Sequence, residues 1–193
     1  MTRLRTAPLL MVLSLLVAPS TASAQGFINV FAATTVTSPT KTGSSTKPGF
    51  GVALGSAGKL IGAETEIVYF PELLDNSANA LSQNKVVTFS ANTLIGPKIG
   101  AVKVYGAIGA GDLYLNVTSA KSLVLPDPKS ISNNYFTFNA GGGVIAFLGH
   151  FGVRGDVRYY RAFGLKAADI EAGTLTLDNF NFWRLAGGVV LKF

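Results

Sequence analysis

FGVRGDVRYY, residues 151–160, is the stretch of sequence that decides the fold. Its period of two places Arg154, Asp156 and Arg158 on one face of a strand and mostly apolar or small residues on the other. An Arg or Lys that faces lipid at mid-bilayer costs about 2 to 4 kcal/mol. If this strand crosses a membrane, its charged face must therefore point inward and its apolar face toward lipid.

The same alternation appears in two other runs. Glu64 and Glu66 share one face of residues 60–70, and Arg184 opposes an apolar face in residues 180–193. A soluble barrel with a ligand cavity more often has apolar residues inside. Because the third and seventh strands of an eight-stranded barrel lie across the lumen from each other, we expect these charges to pair. The predicted lumen charge network comprises Glu64, Glu66, Arg154, Asp156, Arg158 and Arg184.

Eight strand-like runs are separated by connections that alternate between long and short. They are residues 27–36, 48–56, 60–70, 85–95, 100–117, 134–148, 151–162 and 180–193. A barrel fixed across a membrane explains the regular alternation, with short periplasmic turns and long outer loops. The predicted extracellular loops are 37–47, 71–84, 118–133 and 163–179. We therefore predict an all-β fold: an eight-stranded antiparallel up-and-down transmembrane β-barrel over residues 25–193, with any binding specificity in its four loops.

Residues 1–24 have the pattern of a cleavable signal peptide. Arg3 and Arg5 precede an apolar run from Leu9 to Ala18, and the small-residue motif Ala22-Ser23-Ala24 follows. This is the order of a secretory signal, and its apolar core is shorter than the roughly 20 residues that a membrane-spanning helix needs. We expect cleavage before Gln25 and export of the mature barrel domain.

The composition of the chain argues against several kinds of site and partner. The chain has no Cys and one His, which argues against a disulfide framework or a transition-metal site, and we expect no metal and no cofactor. Its formal net charge of +6 falls by two if the signal peptide is removed, and the basic residues are scattered. A nucleic-acid partner is therefore not expected.

Aromatic residues are predicted to form belts at the two membrane interfaces. The predicted outer aromatic girdle consists of Tyr69, Phe136, Phe138, Tyr159 and Trp183, with Phe151 and Phe193 near the inner interface. Phe147 and Phe182 fall on the inward face and depart from this pattern. Asp112 falls on the outward face, so it either lies above the apolar band or follows a bulge near Gly109 or Gly111.

Three features carry a family resemblance: VYGAIGAG at residues 104–111, the stretch 151–160, and Phe193 at the end of an alternating strand. Together they resemble the small eight-stranded, OmpA-like outer-membrane β-barrel proteins. The resemblance implies a location in the cell outer membrane and contact with its lipids. It also implies that periplasmic chaperones and the barrel-assembly machinery are partners during biogenesis. In such families the last strand looks like the assembly signal, here Leu185, Val189, Leu191 and Phe193.

Catalytic motifs are sparse. His150 falls in a two-residue turn, and no nucleophile is visibly paired with a base, so we predict a non-enzymatic protein. Arg154-Gly155-Asp156 spells a cell-adhesion tripeptide, but both charges are expected inside the lumen. We predict an integral outer-membrane barrel with a structural or surface-interaction role and a plugged lumen. The alternatives are a soluble exported barrel that binds an apolar ligand, a small-solute channel and an outer-membrane lipid-modifying enzyme.

Overall fold

The computed structural model describes residues 25–36, 46–71, 81–119, 130–163 and 181–193. The predicted signal peptide, residues 1–24, lies outside the described residues, as does most of each predicted long loop. In the part of the chain that is described, no helix is long and apolar enough to cross a membrane.

The described strands are β1 (Gln25–Thr35), β2 (Lys47–Ala57), β3 (Ile61–Phe70), β4 (Leu81–Ile95), β5 (Lys98–Ile99), β6 (Val102–Ser119), β7 (Ser130–Leu148), β8 (Phe151–Phe163) and β9 (Asn181–Lys192). Consecutive long strands pair antiparallel, β1 pairs with β9, and β4 pairs with β6. The two-residue β5 pairs with the start of β6 inside a turn. Eight long strands thus close into an up-and-down barrel, which confirms the predicted fold.

Three strands extend by two or more residues into the predicted long loops. β4 begins at Leu81, β6 ends at Ser119 and β7 begins at Ser130, so parts of the predicted loops 71–84 and 118–133 are strand. Lys47 and Phe163, predicted as loop residues, are the first residue of β2 and the last of β8. Alternation between apolar and polar residues fades where a strand leaves the bilayer, but backbone pairing continues, and this is why the prediction stopped too early.

The two faces of the wall have opposite character. Val30, Ile108 and Val153 point outward and are each more than half exposed. Many inward-pointing side chains are buried, and Arg158 and Arg184 are at most 1% exposed. An apolar exterior around a partly polar interior is the arrangement of a membrane barrel.

The barrel interior also holds two apolar layers, which the prediction of a polar lumen did not include. The upper apolar layer lies toward the long loops and includes Phe31, Val68, Phe70, Leu113, Tyr160 and Phe182. The lower apolar layer lies toward the short turns and includes Phe27, Leu94, Tyr105, Ile145, Phe147 and Val190. Phe182 and Phe147, which depart from the girdle pattern, therefore fill the two ends of the lumen.

Glycine permits the tight turns and the narrow interior. Gly100 and Gly149 have φ values of 61° and 68°, a left-handed conformation that glycine adopts without steric cost. On the inner wall, a Cβ placed on Gly141 would lie 2.7 Å from Arg158 Cα. Small residues at such inward positions leave space for the large side chains that fill the lumen.

Candidate functional site

The lumen charge network lies between the two apolar layers, and β3 brings Glu64 into it. Glu64 Oε2 lies 2.6 Å from Arg154 Nη1, and Glu64 Oε1 lies 3.1 Å from Arg154 Nη2, so the guanidinium binds the carboxylate through two nitrogens. Arg158 Nη2 donates a further hydrogen bond to Glu64 Oε1. Glu64 is thus held by two arginines that β8 supplies from across the barrel.

Glu66, two residues farther along β3, has a similar environment. Arg184 Nη1 and Nη2 of β9 lie 2.9 and 3.3 Å from its two carboxylate oxygens. Arg158 Nη1 lies 3.3 Å from Glu66 Oε1, so Arg158 contacts both glutamates. Ser90 Oγ donates to Glu66 Oε1 at 3.1 Å, and the Tyr160 hydroxyl donates to the same oxygen.

Asp156 joins the three arginines. Its Oδ2 lies 2.8 Å from Arg154 Nη2 and 3.3 Å from Arg158 Nη2, and its Oδ1 lies 3.1 Å from Arg184 Nη2. The network balances three guanidinium groups with three carboxylates, and each of its side chains is at most 4% exposed. The structure therefore brings together all six residues of the predicted network, including two of the adhesion-like tripeptide.

Aromatic rings cover the network on both sides. The Arg154 guanidinium lies 5.1 Å from the centre of the Tyr105 ring in the lower apolar layer. On the other side, the Arg184 guanidinium lies 5.2 Å from the Tyr160 ring in the upper layer. The Tyr105 hydroxyl accepts from Arg154 Nε at 2.7 Å and donates to Asp156 Oδ2 at 3.2 Å. These contacts tie the charges to the apolar layers.

Polar groups on β4 and β7 complete the site, and the prediction missed them. Asn92 Nδ2 donates to Glu64 Oε1 at 3.4 Å, and Asn139 Nδ2 donates to Asn92 Oδ1 at 2.8 Å. Both asparagines occupy inward-facing positions in the strand pattern, and this position could have identified them as candidate members of the site. Among the described residues, Arg158 Nε and Arg184 Nε have no hydrogen-bond partner.

Lys103 is a second missed residue, at the lower end of the lumen. Its side chain is fully buried, and its Nζ lies 2.9 Å from the carbonyl oxygens of both Gly58 and Gly96. These carbonyls belong to two short turns. Lys103 therefore joins neighbouring turns beneath the lower apolar layer. The strand pattern of β6 predicts that Lys103 points inward, but it does not predict which groups its Nζ contacts.

The residues of the predicted outer aromatic girdle all lie on the outward face. Tyr159 and Trp183 are cross-strand partners with ring centres 5.2 Å apart. Two aromatics absent from the prediction join them: Phe50 lies 5.3 Å from Tyr69, and Phe163 lies 5.7 Å from Phe138. Phe136 packs on Phe138 at 5.0 Å. These aromatic residues lie in two groups near the long-loop end, one on β2 and β3 and the other on β7, β8 and β9.

Asp112 lies at the same height as the outer aromatic girdle. It points outward and is the register partner of Phe136, and the pairing around Gly109 and Gly111 is regular. The suggested bulge is therefore wrong. An aspartate level with an aromatic girdle lies at the membrane interface, where a charge is far less costly than at mid-bilayer.

Three residues of the predicted assembly signal share the outward face of β9, and the fourth, Phe193, directly follows the strand. Leu185, Val189, Leu191 and Phe193 are 44–68% exposed. His150 is exposed in the turn between β7 and β8, where its carbonyl accepts a hydrogen bond from Lys192 N at 2.7 Å. No cluster of His, Cys, Asp and Glu suited to a metal ion occurs within the described ranges.

Residues 7–193 match the family model described as outer membrane protein beta-barrel domain. No curated protein sequence matches the chain.

Several solved structures have the same fold. A major outer membrane protein from Thermus thermophilus aligns with a TM-score of 0.60 at 14% identity, covering 89% of this chain and 100% of that one. Neisserial surface protein A aligns with a TM-score of 0.58 at 15% identity, covering 87% and 97%. Ail, the attachment invasion locus protein of Yersinia pestis, aligns with a TM-score of 0.54 at 15% identity, covering 88% and 99%.

Proposed function

Because the chain belongs to the outer membrane protein β-barrel family and lies in the cell outer membrane, we propose that it is a closed, non-enzymatic scaffold that presents its long loops at the cell surface. The lumen charge network and its two apolar layers form the plug. The outer loops, predicted at 37–47, 71–84, 118–133 and 163–179, carry the surface interactions. An outer-membrane location excludes the alternative of a soluble exported barrel.

The observation that carries the proposal is the composition of the lumen along its axis. An ion crossing the barrel would have to pass the lower apolar layer, the lumen charge network and the upper apolar layer. Eight strands enclose a space that side chains can fill. Here the bidentate pairs of Arg154 with Glu64 and of Arg184 with Glu66 cross that space. This favours a plug over a small-solute channel.

The chemistry of the network supports a structural role over catalysis. Glu64, Glu66 and Asp156 are each bound by at least two arginines, and all three side chains are buried. Carboxylates in this state present no open position to a substrate. His150 lies in an exposed turn at the opposite end from the long loops. These placements support a protein that is not a lipid-modifying enzyme.

The long loops support a surface-interaction role. They hold mixed charges, small polar residues and the apolar piece Leu123-Val124-Leu125. Loops that a rigid scaffold holds in place commonly carry binding residues. Ail, a protein with the same fold, is named the attachment invasion locus protein and was solved with the heparin analogue sucrose octasulfate. Its example supports surface attachment as the second part of the proposal.

Conductance in planar bilayers tests the plug. The wild-type protein should add no current steps to the bare bilayer. A variant that combines Glu64→Ala and Arg154→Ala with Phe147→Ala and Phe182→Ala opens the network and both apolar layers without changing net charge, and it should conduct. The exterior variant Lys85→Ala is the control and should stay silent. Steady current through the wild type at the same protein density would overturn the proposal.

Loop exchange tests the surface role. Each long loop is replaced in turn by a short Gly-Ser linker, and folding is checked by the gel shift between unheated and boiled samples. Binding of sucrose octasulfate to the wild type, lost on replacement of a particular loop in a folded barrel, would support attachment through that loop. Binding that survives all four replacements would contradict it.

Biogenesis is the remaining part of the proposal. The outward apolar face of β9, together with Phe193, is proposed to be read by the barrel-assembly machinery after periplasmic chaperones deliver the chain. β9 is also the strand that closes the barrel by pairing with β1. A signal on the strand that must complete closure is well placed to control that step.

A further inference from the structure

The short-turn end of the barrel is strongly cationic. Lys59 is exposed in the turn before β3, and Lys98 and Lys192 lie at the lumen mouth. We call these three residues the mouth lysines. The buried Lys103 adds a fourth positive charge just inside.

No carboxylate side chain balances them in the described part of the chain. The carboxylate side chains there are Glu64, Glu66, Asp112 and Asp156. Three of these belong to the lumen charge network, where the arginines already neutralise them. Asp112 is level with the aromatic girdle at the other end. At the mouth, the three lysines therefore outnumber the single α-carboxylate of Phe193, and the local charge stays positive.

Two of the mouth lysines converge on one ring. Lys98 Nζ lies 5.2 Å and Lys192 Nζ lies 5.6 Å from the centre of the Phe147 ring. Lys98 Nζ also donates to Gln25 Oε1 at 2.8 Å. Two ammonium groups within 6 Å of the same ring centre repel each other, and a bound anion would relieve that repulsion.

An apolar collar surrounds the mouth and fixes its depth in the membrane. Its members are Leu60, Ile61, Ile99, Leu148, Phe151 and Phe193, each 58–80% exposed. Leu60 directly follows Lys59, and Ile99 directly follows Lys98. Side chains this apolar lie in the acyl region, so their lysine neighbours reach the headgroup layer.

From this arrangement we propose that the mouth lysines bind the phosphate of an anionic phospholipid headgroup in the periplasmic leaflet of the outer membrane. The lysines supply the charge, and the collar supplies contact with the acyl chains of the same lipid. A free anion would use the lysines alone, which is why the adjoining collar favours a lipid. The proposal concerns the opposite end from the surface loops and does not depend on their function.

Native mass spectrometry tests the proposal. The full barrel is released from detergent micelles that contain equal amounts of phosphatidylglycerol and phosphatidylcholine, and the ratio of the two lipid adducts is measured. We expect the wild type to retain phosphatidylglycerol preferentially. Lys98→Gln with Lys192→Gln should reduce that preference at least about tenfold, from the usual attraction of lysines to anionic lipid. The gel shift on boiling shows whether each variant is folded.

Lys85→Gln with Arg161→Gln is the matched control, because it also removes two positive charges and both residues are exposed near the long-loop end, on β4 and β8. It should keep the wild-type preference. Equal losses in this double control and in the mouth variant would reduce the effect to net charge and overturn the proposal. So would a wild type without preference. Displacement of the lipid by millimolar inorganic phosphate, or tighter lysine-dependent binding of a soluble peptidoglycan fragment, would also overturn the assignment to a phospholipid.

Discussion

Arg158 is the centre of the lumen charge network, and replacing it with Met gives the sharpest test of the buried charges. Its guanidinium contacts Glu64, Glu66 and Asp156, and the side chain is fully buried. Arg158→Met keeps much of the side-chain volume but leaves three carboxylates with two guanidinium groups. Breaking a buried ion pair in this way costs about 3 to 5 kcal/mol when water does not enter. We expect a loss of that size in the free energy of unfolding.

The measurement is equilibrium unfolding in urea with the barrel inserted in lipid vesicles. Trp183 is the only tryptophan and lies on the outer girdle, so its fluorescence reports loss of the folded barrel. Adding Glu66→Gln to Arg158→Met restores charge balance and should recover at least half of the lost free energy. Arg161→Met, on the outward face of the same strand, is the control and should change the free energy by about 1 kcal/mol or less.

Two results would refute the reasoning. One is an Arg158→Met protein that unfolds within about 0.5 kcal/mol of the wild type, which would mean that water already screens these charges. The other is a double variant as unstable as Arg158→Met alone. That outcome would assign the cost to lost packing, because restoring charge balance would then have no effect.

Three other predictions concern the wall of the barrel. Gly141→Ala should destabilise the fold by about 1 to 3 kcal/mol in urea, since its Cβ would lie 2.1 Å from the Val157 carbonyl oxygen and 2.7 Å from Arg158 Cα. Gly187→Ala, whose Cβ meets nothing within 4 Å, should be nearly neutral, and equal effects would contradict this account of the inner wall. Trp183 fluorescence should be quenched most by lipids brominated near the headgroup, because the outer girdle lies at the membrane interface. Strongest quenching by lipids brominated at the chain end would contradict that position. Phe193→Ala should lower the fraction of barrel that resists unfolding on unheated gels of cell envelopes, whereas Phe151→Ala should not; equal fractions would remove Phe193 from the assembly signal.

The strand pattern predicted the fold because the period-two alternation and the positions of the charged residues assign the same face of each strand to the lumen. In β8, Arg154 and Arg158 sit two positions on either side of Asp156, and lipid cannot accept them. This fixed which face is inside, and with it the inward positions in β3 and β9. The alternation of long and short connections then fixed the strand count. Both signals depend only on residues that are near each other in sequence, so the fold could be predicted from a single sequence.

The composition of the lumen could not be read in the same way. Phe147, Phe182 and Tyr105 are inward-facing in the pattern, but nothing local states that they gather into layers above and below the charges. That grouping depends on the relative shift of neighbouring strands around the closed barrel. Lys103 illustrates the same limit, because its Nζ joins the carbonyl of Gly96, seven residues away, to that of Gly58, 45 residues away, and the pattern of β6 alone does not bring these two turns together.

Solid-state NMR of the barrel in lipid bilayers measures the buried network directly. Dipolar couplings between arginine side-chain ¹⁵N and carboxylate ¹³C should detect Arg154, Arg158 and Arg184 in contact with Glu64, Glu66 or Asp156, and water-edited spectra should show these arginines protected. Arg161, on the outward face, serves as the internal reference for an arginine outside the lumen. Three arginines without carboxylate couplings, or as open to water as Arg161, would contradict a lumen closed by paired charges.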